Sequence, residues 1–251
     1  MFYLGVKLDR VGEKGVSNEG YSMEIVAYRG FCDVDILIDG KHIVTGRTYN
    51  SFKKGEISNP YHRSVVGVGY YGVGKYRLCK GNEFERKIYG VWRGILNRCY
   101  MLERKSYAEC TVDERFHNFQ VFAAWYEENF YTVGTERMDI DKDILIKGNK
   151  VYSPDACIFV PVTINTLFIQ NRRRRGALPV GVYKFRNKYR ACVSRYDSSI
   201  DLGTFDTPEE AFLAYKTAKE AYIKQVADKY KDKIPKKLYD ALYAYTVEIT
   251  D

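Results

Sequence analysis

The chain has 251 residues, enough for two or three small domains, and its 45% hydrophobic content allows packed cores. It carries 40 Lys or Arg against 32 Asp or Glu, a formal net charge of +8 that favours nucleic acid or another acidic surface as partner. No run approaches the ~20 apolar residues of a membrane span, no signal-peptide pattern opens the chain, and six Cys without a C-x-x-C pair speak against a disulfide framework or a zinc site. The expectation is a soluble, cytoplasmic protein with no membrane partner.

Residues 1–75 read as a small β-rich module. Met23–Tyr28 and Asp33–Ile38 are short alternating runs, and Asp39-Gly40 before Lys41–Val44 is a strong hairpin signal. Residues 49–60, with Gly55 and Asn59-Pro60, read as an irregular connection. The glycines from Gly67 to Gly74 mark a boundary. A phosphate-cradling loop is the sharper reading of them, but the G-K-[ST] ending is missing.

Residues 76–171 open with two apolar stripes at helical spacing. Ile88, Val91, Trp92, Ile95, Leu96 and Cys99 form one; Phe116, Phe119, Phe122, Tyr126 and Phe130 form the other. A less regular stretch follows, with a β-hairpin expected around Gly148-Asn149 and a helix starting near Thr163. Asp139, Asp141 and Asp143 alternate, so one strand would set all three on one face. There they serve either as ligands for Mg²⁺ or Mn²⁺ or as a solvated acidic edge paired with Arg and Lys. Of three His, only His117 falls in this region.

From Arg172 to Arg195 there are nine Arg or Lys and no Asp or Glu. Residues 172–180 form a basic linker, and Arg172, Arg173, Arg174 and Arg175 suit either a flexible connection or an arm on phosphate or in a minor groove. Residues 181–251 read as three strands and a helix. Gly181-Val182-Tyr183 opens the first strand, Lys188-Tyr189-Arg190-Ala191 the second, and Leu202-Gly203-Thr204-Phe205 closes the third. Thr207-Pro208-Glu209-Glu210 starts the helix with a capping box. Ala211, Phe212, Tyr215, Ala218 and Tyr222 make its buried stripe, and Leu238, Leu242 and Tyr245 mark a short closing helix.

This order of strands and helix resembles the AP2 DNA-binding domain. The resemblance implies a three-stranded antiparallel sheet lying in the major groove, backed by one helix. Alternation along the second strand sets Tyr189, Ala191 and Val193 towards the helix and Lys188, Arg190, Cys192 and Ser194 towards DNA. Tyr183 and Phe185 share the DNA face, with Lys184 and Arg186 at the margin, and Arg195 is a further expected DNA contact. Leu202 and Phe205 are expected under the helix.

The middle of the chain resembles phage HNH-type homing endonucleases. The matching residues are Trp92, Ile95, Arg98-Cys99-Tyr100, Thr111-Val112, Glu114, Phe116, Phe119, Phe122 and Trp125. Asp141-Lys142-Asp143, Gly148-Asn149, Tyr152-Ser153-Pro154, Cys157 and Asn165 continue the pattern. The resemblance implies water activated by a His base together with a divalent ion. This chain departs from that pattern: no His stands near Asp141 and Asp143, and Ala156 stands where many relatives have Asn. Asp141 and Asp143 are the candidate catalytic residues, and with Asp139 the candidate metal ligands.

The expected fold is therefore α+β: a small N-terminal β module, a central helical and β-hairpin domain of degenerate HNH type, and a C-terminal βββα AP2-like domain. The expected function is binding of double-stranded DNA with metal-dependent cleavage. The alternative is an inactive, nuclease-derived binding protein that regulates a phage or inhibits a host system, located in the host-cell cytoplasm. RNA or a host protein is the lesser partner class, since basic charge alone does not separate them.

Overall fold

A computed structural model describes residues 9–77, 81–101, 107–168, 178–195, 198–249 and 251. It is an α+β protein with several small sheets, most of them antiparallel. The chain divides into two units: Met1–Met101 with His117–Ala123, and Leu102–Phe116 with Ala124–Asp251.

The first unit opens with a four-stranded antiparallel meander of β1 (Lys14–Val16), β2 (Ser22–Gly30), β3 (Asp33–Ile38) and β4 (His42–Arg47). Alternation along β3 buries Val34, Ile36 and Ile38, which pack with Met23, Ile25 and Phe52. Asp39 and Gly40 both take positive φ, 53° and 66°, in the β3–β4 turn, as the Asp-Gly pair predicts. The segment expected to be irregular begins instead with a helix, α1 (Tyr49–Lys53). The Thr48 hydroxyl caps it by accepting from the Ser51 amide.

Helix α2 (Glu83–Tyr100) buries Ile88, Trp92, Ile95 and Leu96, the predicted stripe, and begins with a capping box between Asn82 and Glu85. The second predicted stripe is not one helix. It breaks into α3 (Glu114–His117) and α4 (Phe119–Asn129) because Tyr70 pairs with the backbone between them: its amide donates to the His117 carbonyl, and its carbonyl accepts from the Phe119 amide. The glycine-rich stretch has a packing role here. A Cβ on Gly69 would fall 2.6 Å from Leu96 Cδ1, and one on Gly72 would fall 2.3 Å from Asn118 Oδ1.

In the second unit, β5 (Thr111–Val112) pairs in parallel with β7 (Val151–Tyr152), while β6 (Met138–Asp141) pairs antiparallel with β8 (Ile158–Pro161). The expected hairpin at Gly148-Asn149 is therefore absent: the chain turns there, but its flanking segments pair with other partners. Asn149 holds the turn, its Nδ2 donating to the carbonyls of Lys142 and Val151, both at 2.7 Å. A short helix, α5 (Val162–Asn165), follows β8 near the expected position.

The C-terminal strands β9 (Val182–Phe185), β10 (Lys188–Ser194) and β11 (Ser199–Phe205) form an antiparallel sheet in the order β11-β10-β9. The long helix α6 (Pro208–Tyr230) starts with the predicted Thr207–Glu210 capping box. Its first half packs Ala211 and Tyr215 against Val182, Ala191 and Val193 of the sheet. Its second half does something else: Ile223, Val226 and Ala227 join Ile144, Ile158, Val160 and Ile164 in another core. Leu238 and Leu242 of α7 (Lys236–Ala244) belong to that core too. Residues 133–167 and 223–242 thus share one apolar interior. Tyr245 lies just past α7, not in it, with extended backbone.

Candidate nucleic-acid interface

The outer face of the β9–β10–β11 sheet, away from α6, collects the basic and aromatic side chains. Cross-strand register sets Arg190 opposite Tyr183 and Thr204, and Lys188 opposite Phe185. Ala191, opposite Val182, and Val193 are buried under α6, and Tyr189 packs with them, as alternation predicts. Tyr183 and Phe185 are 47% and 38% exposed on this face. Ser194 lies at the far end, opposite Ser199.

Arg190 stacks on an aromatic ring of this face, and its buried Nε makes no hydrogen bond among the described residues. Its guanidinium carbon lies 3.9 Å from the centroid of the Phe185 ring, and its Nε lies 3.5 Å from Asp201 Oδ2. Lys188 Nζ sits 2.9 Å from Asp206 Oδ1 at the sheet margin. Arg186 takes a positive φ of 55° in the β9–β10 turn, and its guanidinium lies 5.6 Å from the same Phe185 ring. Lys184 is in register with Tyr189, so it has the parity of the helix side, yet it stays exposed because β9 is an edge strand.

One predicted contact lies elsewhere. Arg195 does not extend the sheet face: its guanidinium packs 5.0 Å from the Tyr222 ring on α6. Arg172, Arg173, Arg174 and Arg175 lie outside the described residues. Sequence reasoning also missed the acidic members of the face, Asp201 and Asp206. A count of basic residues over 172–195 stops short of both.

Asp201 reaches the face through a β-bulge. The register shifts between Ala191, opposite Gly203, and Cys192, opposite Asp201, which leaves Leu202 as the extra residue. Strict alternation from Thr204 would put Leu202 on the outer face and Asp201 under the helix. The bulge reverses both, so Leu202 packs into the core beneath α6. Gly203, at φ 108°, supplies the backbone conformation.

The carboxylate segment is built differently from its expectation. Strand β6 ends at Asp141, so alternation does not carry Asp143 onto it. Asp139 accepts from Arg137 at 3.0 Å and from Asn165 Nδ2 at 3.1 Å. Asp141 Oδ1 accepts the amides of Asp143 and Ile144 at 2.9 and 2.7 Å, closing the turn after the strand. Asp143 pairs with buried Lys142 at 3.0 Å. Burial, and after it the Asp143 carboxylate, push the Asp141 carboxyl up to about 6. Burial likewise pushes the neighbouring Cys157 thiol up to about 12.

Each carboxylate is thus engaged by protein donors. Among the described residues no group of three or more His, Cys, Asp or Glu is placed to hold a metal ion. The hydrogen bonds and ion pairs that Asp139, Asp141 and Asp143 accept would compete with coordination of Mg²⁺ or Mn²⁺ by the same oxygens. His117 is buried in the first unit, where its Nε2 lies 3.4 Å from the Tyr100 hydroxyl.

No family model matches this chain, and no curated protein and no solved structure matches it either.

Proposed function

We propose that the protein binds duplex DNA through the outer face of the β9–β10–β11 sheet. Arg190 and Lys188 provide the cationic contacts, and Tyr183 and Phe185 the apolar ones. The observation that carries this reading is the state of Arg190. Phe185 covers one face of its guanidinium and Asp201 lies 3.5 Å from its Nε, which makes no hydrogen bond among the described residues, so the guanidinium is placed by stacking and charge and its donors are left for a ligand. Its two terminal nitrogens form the fork that matches guanine O6 and N7 in a major groove. The net charge of +8 supplies the long-range attraction to phosphate.

The reading is tested by titrating the full chain against labelled duplex DNA at several salt concentrations. Affinity should fall steeply with salt, because Lys and Arg contacts release counterions. The same titration with duplex RNA separates the partner classes, since the deep, narrow major groove of A-form RNA does not admit a sheet. No retention of duplex DNA at low salt sinks the proposal.

The resemblance to phage homing endonucleases also carries a cleavage reading, with Asp141 and Asp143 as its residues and Mg²⁺ or Mn²⁺ as its cofactor. The engagement of Asp139, Asp141 and Asp143 by Arg137, Asn165, backbone amides and Lys142 favours the alternative: a nuclease-derived binding protein acting as a regulator or inhibitor. Plasmid incubated with either ion tests this directly.

A further inference from the structure

We propose that Asp201 is a positioning residue for Arg190, and that the pair selects guanine at one position of a bound duplex. This inference rests on the DNA-binding reading above and goes beyond it by naming the base and the residue that sets the choice.

An acidic side chain on a face that meets a polyanion weakens binding to every sequence alike, through repulsion. The strand nonetheless departs from alternation, and one result is that Asp201 stands beside Arg190. The carboxylate is itself anchored: Asp201 Oδ1 accepts the Gly203 amide at 3.0 Å, within the bulge, which turns Oδ2 to Arg190 Nε. Phe185 lies 3.9 Å beneath the guanidinium carbon.

Two contacts of different kinds therefore bear on one planar group: a stacked ring, and an ion pair at 3.5 Å that makes no hydrogen bond. The ring sets the plane of the guanidinium, and the carboxylate's charge draws its Nε edge inward. The remaining edge carries Nη1 and Nη2, whose spacing fits O6 and N7 of guanine. A guanidinium held this way has less freedom to swing onto a phosphate, and the Asp201 charge penalises any complex that brings phosphate close. Both effects lower affinity for unselected DNA more than for the preferred site, which is how specificity arises from a repulsive element. The Arg190 and Asp201 side chains remain 37% and 55% exposed, so the pair adds little to folding stability. Its effect on recognition is therefore separable from its effect on the fold.

The test is selection of a random-sequence duplex pool by the full chain, with wild type, Asp201→Asn and Arg190→Lys in parallel. Asn at 201 keeps an oxygen for the Gly203 amide and removes the charge. Wild type should enrich guanine at one position. Asp201→Asn should lose roughly tenfold of that preference at that position alone, with unchanged melting temperature and equal or tighter binding of unselected duplex. Arg190→Lys should lose the same preference with Asp201 in place. An Asp201→Asn protein that keeps its guanine preference and merely tightens on all duplexes overturns the proposal, because Asp201 then only repels phosphate. Wild type that binds duplex without any positional preference also overturns it, while the binding reading stands. Wild type that retains no duplex at low salt is the failure of that reading itself, and the pair's role falls with it.

Discussion

The ring of Tyr215 fills the space where Gly181 would carry a side chain. A Cβ there would lie 2.0 Å from Tyr215 Cδ2, and Gly181 holds φ at 75°. The close approach brings α6 onto the start of β9, and the Gly181 carbonyl accepts the Cys192 amide at 3.0 Å. Gly181→Ala combines a left-handed backbone conformation with an overpacked contact and should cost about 2–4 kcal/mol. Denaturant unfolding reads the loss. A variant within experimental error of wild type would mean that the helix shifts freely off the sheet.

Arg190 and Arg195 are five residues apart, but they belong to different surfaces. Arg190→Ala should cost about 1–3 kcal/mol on a preferred duplex and blur discrimination between bases. Arg195 packs on Tyr222, so Arg195→Ala should cost less than about 1 kcal/mol and affect all sequences alike. Titration of both variants against preferred and unselected duplexes checks this. Equal losses from the two changes on both duplexes would remove base reading from Arg190.

Divalent ions should leave this segment unaffected. A cation that binds the folded chain alone raises the melting temperature by mass action. Because Asp139, Asp141 and Asp143 are already engaged, Mg²⁺ or Mn²⁺ should produce no shift that the Asp141→Ala/Asp143→Ala protein lacks. Plasmid should remain intact under the same conditions. Cutting that EDTA and the double substitution both abolish would show that these carboxylates rearrange to take the ion.

Asp141 should make stability depend on pH. Its folded-state pKa is raised to about 6 by burial, and then by the Asp143 charge, above the ordinary value of 3.8. The folded state therefore holds a proton that the unfolded state releases, and stability falls as pH rises from about 4 to about 6. Asp141→Asn keeps an oxygen for the two backbone amides and carries no charge. Above that window it should be more stable than wild type by on the order of 2 kcal/mol, and the slope should flatten. Unfolding curves at several pH values measure both effects. A variant less stable than wild type at neutral pH would show that the charge of Asp141 is needed by its two amides.

Much of the local structure was legible from the chain alone. The α2 stripe, the Thr207–Glu210 capping box, the Asp39-Gly40 turn and the inward face of β10 all depend on residues close in sequence, so periodicity and turn chemistry determine them. The break between α3 and α4 was not legible, because it needs the distant backbone of Tyr70. Nor was the engagement of the three aspartates. Alternation set them on one imagined strand, whereas Asn165 and the turn after Asp141 claim them separately. The same holds for the second half of α6, whose apolar residues share a core with β6 and β8 rather than with the sheet that the first half covers. The placement of Asp201 beside Arg190 is the clearest case. Side-chain identity and spacing determined that β10 shows a basic face, but a one-residue slip in pairing with β11 decided which β11 side chains share it. Periodicity tells which residues of a strand point the same way. Register depends on the partner strand, so only the folded chain brings a particular carboxylate to a particular guanidinium.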